Sequence, residues 1–332
     1  MDLAKLSEKR GSMVKPILDL NGLASELTLP VIAAPMFIVS VPNLVVATCT
    51  SGVLGSFPAT NARRAGGALD AWLTEIGERN QSARARGAYV APFGVNLVVN
   101  KSNEFLDEDL AIVMEHRVPL VITSVGAPGN IAKAVHGYGG VVFHDVINMR
   151  HARKAVGSDV DGLILVCAGA GGHGGMMNPF ALVPEAKAEF DVPIILSGAI
   201  SGGQGVRAAR VLGADFAYLG TRFIATEEAN ADPAYKQMLI GSAASDITYT
   251  PEFSGVPANY LTKSILEAGL DPTELSLPGQ KVDRAYQTGH KKSKAWSEIW
   301  SGGQGVGSIS DSPSVTELVA RLKSEYDEAA GT

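Results

Sequence analysis

The chain has 332 residues, of which 46% are hydrophobic and 19% charged, and its formal net charge is −6. This is enough apolar material for one large α/β domain with an appendage, or for two ordinary domains. A negative net charge without a cluster of basic residues argues against nucleic acid as the main partner. No apolar run is long enough to cross a membrane. The first residues lack the apolar core of a signal peptide, and Cys49 and Cys167 lie far apart in apolar runs, so we expect a soluble, cytoplasmic, reduced protein.

Eight short, continuously apolar runs recur along the chain. They cover residues 29–36, 51–57, 89–97, 119–125, 140–146, 162–168, 193–199 and 216–221. Continuous apolar runs indicate strands covered on both faces, as in a parallel sheet, and helical patterns lie between them. The predicted fold class is therefore α/β, a (β/α)8 TIM barrel. The alternative, an open doubly wound sheet, would need one glycine-rich dinucleotide fingerprint followed by an acidic residue, and we find none.

The pattern changes after the eighth strand. Residues 230–300 contain three helix-like segments separated by proline- and glycine-containing loops, which predicts a small helical subdomain covering the active site. The barrel would then comprise residues 1–229 and 301–332, and the closing segment "SPSVTELVARLKSEYDEA" predicts an amphipathic helix with a Ser–Glu start. The hexapeptide "SGGQGV" occurs at 201–206 and again at 301–306 without other self-similarity, which indicates one loop chemistry used twice.

Glycines cluster at the carboxyl ends of the predicted strands, where ligands bind in barrels of this kind. "SGAISGG" follows the seventh strand and "LGTRF" ends the eighth, the place where such barrels bind phosphate through backbone N–H groups. Gly198, Ala199, Gly220 and Thr221 are the candidates, with Thr221 adding a hydroxyl. The alternative is that these glycines only make tight turns.

Earlier strands end in residues suited to a flat heterocycle. In "AAPM", Pro35 removes a donor and Met36 offers a soft apolar surface, although ordinary core packing explains this segment equally well. Asn96 ends the third strand with an amide that both donates and accepts, and Ser124 lies similarly on the fourth.

One histidine lies in a frame of glycine and alanine, in "CAGAGGHGG" after the sixth strand. Imidazole accepts a proton near neutral pH, which makes His173 the candidate general base. His144 on the fifth strand is the competitor, although its neighbour Asp145 could make it half of a structural pair. No set of His, Cys and carboxylate residues has metal-ligand spacing, and no G-x-S-x-G elbow is present.

Taken together these motifs resemble the nitronate monooxygenase family of FMN-dependent (β/α)8-barrel enzymes. The resemblance covers nearly the whole chain, through "APM", "GVNL", "AGGHGG", "SGAI", "GTRF" and the late "WSGGQG". It implies FMN as cofactor and His173 as the base near the flavin. The residues it assigns to the cofactor site are Pro35, Met36, Asn96, Gly198, Ala199, Gly220 and Thr221, and it places the late loop with Gly302, Gly303 and Gln304 near the flavin. Ser124, Gly171 and Gly172 are further candidates for cofactor binding.

Three departures from the family pattern indicate a divergent branch. Val166 stands where a flavin-contacting glutamine is expected, Gly169 replaces a glutamate, and Asn259 replaces an arginine after Pro-Ala. The activity implied is oxidation of alkyl nitronates or nitroalkanes with O2 to carbonyl compounds and nitrite. Two alternatives stay open: an FMN-dependent NAD(P)H oxidoreductase, such as a quinone or enoyl-thioester reductase, and a flavin-free phosphate-binding lyase or isomerase. Expected partners are these small molecules, with assembly into a homo-oligomer left open.

Overall fold

The computed structural model describes residues 16–100, 103–279 and 297–331. Its largest sheet has eight parallel strands: β1 (Val31–Ala33), β2 (Gly55–Pro58), β3 (Phe93–Val98), β4 (Leu120–Ser124), β5 (Val141–Val146), β6 (Gly162–Val166), β8 (Ile194–Ser197) and β9 (Phe216–Leu219). The strand order is β1-β9-β8-β6-β5-β4-β3-β2. Two hydrogen bonds join its ends, from Ala33 N to Leu54 O at 2.8 Å and from Leu54 N to Val31 O at 3.1 Å. The predicted eight-stranded barrel is confirmed.

Helices follow most of the barrel strands, and further helices lie before β1 and after β9. They are α1 (Leu20–Glu26), α2 (Pro42–Thr50), α3 (Ala59–Arg64), α4 (Leu69–Ala85), α5 (Leu106–Glu115), α6 (Ile131–His136), α7 (Met149–Val156), α8 (Pro179–Glu189), α9 (Gly203–Leu212), α10 (Thr221–Ile224), α11 (Pro233–Ile240), α12 (Thr262–Glu267) and α13 (Val315–Glu328). Within the described ranges, no helix is both long and apolar enough to cross a membrane.

Alternation along each strand separates two buried layers. On β5, Phe143 belongs to the cluster inside the barrel, while Val142 and Val146 belong to the larger cluster between barrel and helices. The same two-residue period holds on the other strands because successive side chains point to opposite faces. Leu23 of α1 and the following Leu27 join the inner cluster, so they close the amino-terminal end of the barrel. The open mouth is therefore at the carboxyl ends of the strands.

The segment after β9 differs from the predicted helical subdomain in one respect. It contains α11 and α12, but also a hairpin of β10 (Ile247–Thr250) and β11 (Ala258–Leu261). β11 pairs in turn with β7 (Gly172–His173), which gives a three-stranded antiparallel sheet. The third predicted helix, at 285–300, falls mostly outside the described residues. The domain boundaries stay a prediction.

The last helix begins as its sequence predicts. Ser314 Oγ accepts a bond from Glu317 N at 3.3 Å, and the Glu317 carboxylate accepts one from Ser314 N at 3.1 Å. This capping box satisfies two backbone donors that a helix start leaves unpaired. Val315, Leu318 and Leu322 are buried, and α13 packs against α9 and α2, the helices on either side of the paired strands β9 and β1.

Candidate functional site

Backbone strain marks the mouth of the barrel. Five non-glycine residues in the described ranges have positive φ, and three of them lie in loops that follow barrel strands: Ile38 at 70°, Val125 at 57° and Ala199 at 54°. Left-handed backbone is unfavourable for any side chain and especially for branched ones such as Ile and Val. Strain of this kind persists where surrounding structure demands it, and it clusters at functional sites.

His173 lies at this mouth, in the short strand β7. Its backbone pairs with Ala258 of β11, and its Nε2 atom is 2.8 Å from Ser254 Oγ. Ser254 Oγ donates to Val256 O at 2.9 Å, so in that arrangement it accepts the proton on Nε2. The side chain is exposed, and the protein atoms beside it remove part of its hydration, which lowers the pKa of His173 below its ordinary value. The imidazole is therefore neutral at pH 7 and able to accept a proton.

The glycines before His173 permit close packing of the late loop, residues 301–305. A Cβ atom on Gly171 would lie 2.9 Å from Thr221 Oγ1 and 3.0 Å from Gly303 N. Gly303 N donates to Thr221 Oγ1 at 2.9 Å, and Gln304 N donates to Gly169 O at 2.9 Å. The structure thus brings together predicted site residues from three distant parts of the chain. It also explains Gly169, where a side chain would meet that of Gln304.

A second set of bonds holds the histidine loop from the hairpin side. Gly172 N donates to Ser301 Oγ at 2.7 Å, and Ser301 Oγ donates to Asn259 O at 2.8 Å. The Asn259 side chain, which departs from the family pattern, is buried and donates to Ala170 O at 2.6 Å. Asn259 therefore has a structural role in positioning the loop that carries His173.

The two copies of "SGGQG" are neighbours in space. A Cβ atom on Gly305 would lie 3.0 Å from Ala199 O and 2.4 Å from Ser201 Oγ. Gly198, with φ at 136°, has the carbonyl oxygen of Ala168 2.9 Å from where its own Cβ would be. These glycines are required by close approach of backbone, so the tight-turn alternative alone does not account for them.

The helix after the seventh barrel strand has a carboxylate at its first turn. Gly203 N donates to Glu325 Oε2 of α13 at 2.6 Å. An anion at these loops would therefore meet the backbone of Gly198 and Ala199 rather than the N–H group of Gly203. Thr221 Oγ1 accepts from Gly303 N, and a hydroxyl that accepts one bond still carries a proton to donate.

The loop after β1 reaches the same region. A Cβ atom on Gly220 would lie 3.7 Å from Met36 Sδ, so this thioether borders the end of the eighth barrel strand. Met36 N donates to Ser40 Oγ at 2.9 Å, and Asn61 Nδ2 donates to Met36 O at 2.9 Å. Pro35 and Met36 are half-buried in this tightly bonded loop.

The upper interior of the barrel is polar, whereas its lower interior is apolar. We call the residues at these upper interior positions the polar layer: Asn96, Ser124, Asp145, Ser197 and Tyr218. Asn96 Nδ2 donates to Ile122 O at 3.2 Å and to Ser124 Oγ at 3.0 Å. Two predicted site residues, Asn96 and Ser124, are therefore hydrogen-bonded to each other. Asp145, Ser197 and Tyr218 are missed by the sequence analysis as site residues, although strand alternation in "VVFHDV" places Asp145 on the interior face with Phe143.

Two atoms of the polar layer have no partner in the described residues. Asp145 Oδ1 and Tyr218 OH are buried and make no hydrogen bond. Leaving a buried polar group unsatisfied costs about 1–3 kcal/mol, so each such group calls for an explanation. Burial raises the pKa of Asp145 to about 7, and it raises that of Tyr218 well above its ordinary value, with the negative charge of Asp145 adding to the effect.

His144 does not lie at the mouth. It alternates with Phe143 and Asp145, so it faces the helix layer, where its Nδ1 is 2.8 Å from Thr123 Oγ1. Burial lowers the pKa of His144 to about 4, and the nearby His151 adds to the shift. A structural pair of His144 with Asp145 is wrong, because neighbouring residues in a strand point to opposite faces.

Large apolar side chains surround the mouth on the solvent side. We call them the apolar rim: Phe37, Val125, Ile147, Met176, Met177 and Phe180. All follow barrel strands β1, β4, β5 and β6, and Met176 and Phe180 are the most exposed, at 70% and 74%. Their exposure places apolar surface at the end of the barrel where ligands bind. Within the described ranges, no group of three or more His, Cys, Asp or Glu residues is arranged to hold a metal ion.

Comparison with known proteins agrees with this architecture. The family profile described as "Nitronate monooxygenase" matches residues 106–325. The chain is 27% identical to a nitronate monooxygenase of Paraburkholderia phytofirmans, over 90% of this chain and 93% of the relative. Among solved structures, FabK from Thermotoga maritima superposes with a TM-score of 0.74 at 24% identity, covering 94% of this chain and 96% of FabK. Nitroalkane oxidase from Streptomyces ansochromogenes superposes with a TM-score of 0.73 at 23% identity, covering 93% of this chain and 99% of the oxidase.

Proposed function

This chain belongs to the nitronate monooxygenase family, and we propose that it is an FMN-dependent enzyme that oxidises alkyl nitronates, and nitroalkanes after deprotonation, to carbonyl compounds and nitrite with O2. The observation that carries the proposal is His173. Its imidazole has a lowered pKa and lies exposed at the mouth of the barrel, beside the glycine loops. A neutral base in such a position suits removal of a proton from a carbon acid.

The residues at the mouth fit FMN on two observations. At the ends of β8 and β9, backbone N–H groups and the Thr221 hydroxyl would hold the phosphate. Unpartnered polar atoms and the Asn96 amide line the interior face below, where the ring would find hydrogen-bonding groups. When bound, FMN supplies the electron acceptor for the oxidation.

Proton transfer is the step that this chain performs itself. The contact with Ser254 Oγ involves one ring nitrogen of His173, and the neutral ring carries a lone pair on the nitrogen that has no proton. That nitrogen accepts the proton from the carbon next to the nitro group, and the electron pair of the broken C–H bond stays on the resulting nitronate. Ser254 and the pairing of β7 with β11 orient the ring for this transfer.

An absorbance spectrum of the purified protein is the first test. Flavin bands are expected, and a colourless protein would favour a flavin-free lyase or isomerase. With flavin present, addition of a nitronate in air should consume O2 and release nitrite. A flavoprotein that does neither, with nitronates of several chain lengths, would rule out the monooxygenase.

The apolar rim favours a second candidate function. Its exposed Met176, Met177 and Phe180 offer more apolar surface than a nitroalkane of a few carbons would cover. An FMN-dependent NAD(P)H oxidoreductase that acts on a quinone or an enoyl thioester would use that surface. Anaerobic addition of NADH distinguishes the two, because rapid bleaching of the flavin is expected for the reductase alone.

A further inference from the structure

Just below the mouth, the barrel interior contains one hydrogen-bond donor and one acceptor that have no partner among the described residues. Asp145 Oδ1 and Tyr218 OH are buried, and neither has a hydrogen-bond partner within the described ranges. Both side chains face the barrel interior, since Asp145 alternates with Phe143 and Tyr218 with Phe216 of the inner cluster. Both residues also lie near the carboxyl ends of β5 and β9, beside the mouth. Unmet polar atoms at this place indicate groups that a ligand satisfies.

Among the residues that the structure describes, no cation offsets the burial of Asp145. Tyr218 is the titratable group that faces it from β9, and its phenol is neutral at pH 7. Asn96, Ser124 and Ser197, the remaining members of the polar layer on β3, β4 and β8, are uncharged. His144 of β5 itself lies on the opposite face and is also neutral at pH 7. Burial is thus the cause that raises the Asp145 pKa to about 7, so this carboxyl group exchanges its proton near neutral pH.

We propose that Asp145 is a second proton-exchanging residue of the mouth, which presents its carboxyl group to the ring of bound FMN and takes up a proton when that ring gains electrons. The inference rests on the FMN site of the proposed function. A buried carboxylate beside a ring that becomes more negative is repelled by it, so electron gain favours the carboxylic acid form. The electrons come from the substrate, the proton comes from solvent, and the one bond formed on Asp145 is its O–H bond.

The midpoint potential of the bound flavin, measured against pH, tests this directly. We expect the potential of the wild-type holoprotein to fall more steeply than that of Asp145→Asn between pH 7 and 9. Asn is isosteric and still donates a hydrogen bond, but it does not titrate. Asp191→Asn is the matched control, because it removes an exposed carboxylate just before β8, at the opposite end of the barrel. Its curve should follow the wild type. Parallel curves for wild type and Asp145→Asn would overturn the proposal.

A second measurement needs no variant. Carbon-13 NMR of wild-type holoprotein labelled at aspartate carboxyl carbons follows the aspartate with the highest titration midpoint. We expect that midpoint near pH 7 with oxidised flavin and at higher pH after reduction. A midpoint that does not move on reduction would overturn the proposal even if Asp145→Asn fails to fold.

These outcomes separate the inference from the proposed function. The potential and the NMR midpoint do not depend on any substrate. Steeper wild-type curves in a protein that turns over no nitronate would reject the monooxygenase and support the role of Asp145. A wild-type protein without flavin bands would reject the FMN site and this inference with it.

Discussion

At the scale of single residues, two histidines of the same chain have opposite environments. His173 is exposed at the mouth, while His144 is buried between barrel and helices. Burial lowers the pKa of both, so both are neutral at pH 7. Of the two, only His173 is exposed where a substrate can reach it. His144 is buried, and its protonation makes the stability of the fold depend on pH.

Replacing the mouth histidine separates proton removal from the later oxidation. His173→Asn should lower turnover of neutral nitroalkane by about 10²- to 10⁴-fold, the range that a general base contributes. Turnover of preformed nitronate should change little, because no proton has to be removed. Steady-state O2 consumption on both substrates checks this. His151→Asn, on the outer helix α7, is the control, and equal losses on both substrates would reject the base assignment.

The buried histidine predicts a loss of stability in acid. The unfolded chain binds a proton at this residue below its ordinary pKa of 6.5, whereas the folded chain does not until about pH 4. Stability therefore falls as pH drops from 6.5 to 4, by up to about 3 kcal/mol at about 1.4 kcal/mol per pH unit. Urea unfolding at several pH values measures it. His144→Asn should lose this part of the pH dependence, and an unchanged slope in that variant would contradict the explanation.

At the scale of elements, the mouth is assembled from segments that are remote in sequence. The eight strands were predictable because each is a continuous apolar run, and the α13 cap was predictable from Ser314 and Glu317. The pairing of His173 with Ala258 was not, because β7 has two residues and glycine around it, and the start of β11 reads as part of a helix. Contacts of Gly303 with Gly169 span more than a hundred residues, and no local pattern signals them.

Because the late loop is closely packed, adding one methyl group at Gly303 should lower the activity strongly. A Cβ atom on Gly303 would lie 2.6 Å from Gly169 O and 2.9 Å from Gly171 N, and neither backbone atom can rotate away. Gly303→Ala should therefore displace the histidine loop, and a shift of about 1 Å can cost on the order of 10²-fold in rate. Gly307→Ala is the control, since its Cβ would come no closer than 3.6 Å to Ala244 N. Nitroalkane kinetics and bound-flavin content check both variants, and wild-type values for Gly303→Ala would refute the packing argument.

At the scale of the whole molecule, the barrel depends on its last helix. α13 packs against α9 and α2, which flank the junction of β1 and β9, and Glu325 bonds the first turn of α9. The strands β1 and β9 are thus held together twice, by strand pairing inside and by helix packing outside.

Removing a buried side chain from this helix should destabilise the entire barrel. Leu322 is fully buried, and Leu322→Ala should lower the free energy of unfolding by about 2–5 kcal/mol in a single cooperative transition. Denaturant unfolding followed by circular dichroism measures it. Ala320→Ser, at an exposed position of the same helix, is the control. Separate melting of α13 before the barrel would show that the outer closure is dispensable.

The late loop is synthesised near the end of the chain, long after the histidine loop that it contacts. Gly303 leaves the ribosome 130 residues after His173, which at roughly 5–20 residues per second is an interval on the order of ten seconds. During that interval the nascent chain carries its histidine loop without the segment that holds it in place. We therefore expect cofactor capture to follow synthesis of the late loop rather than accompany formation of the strands.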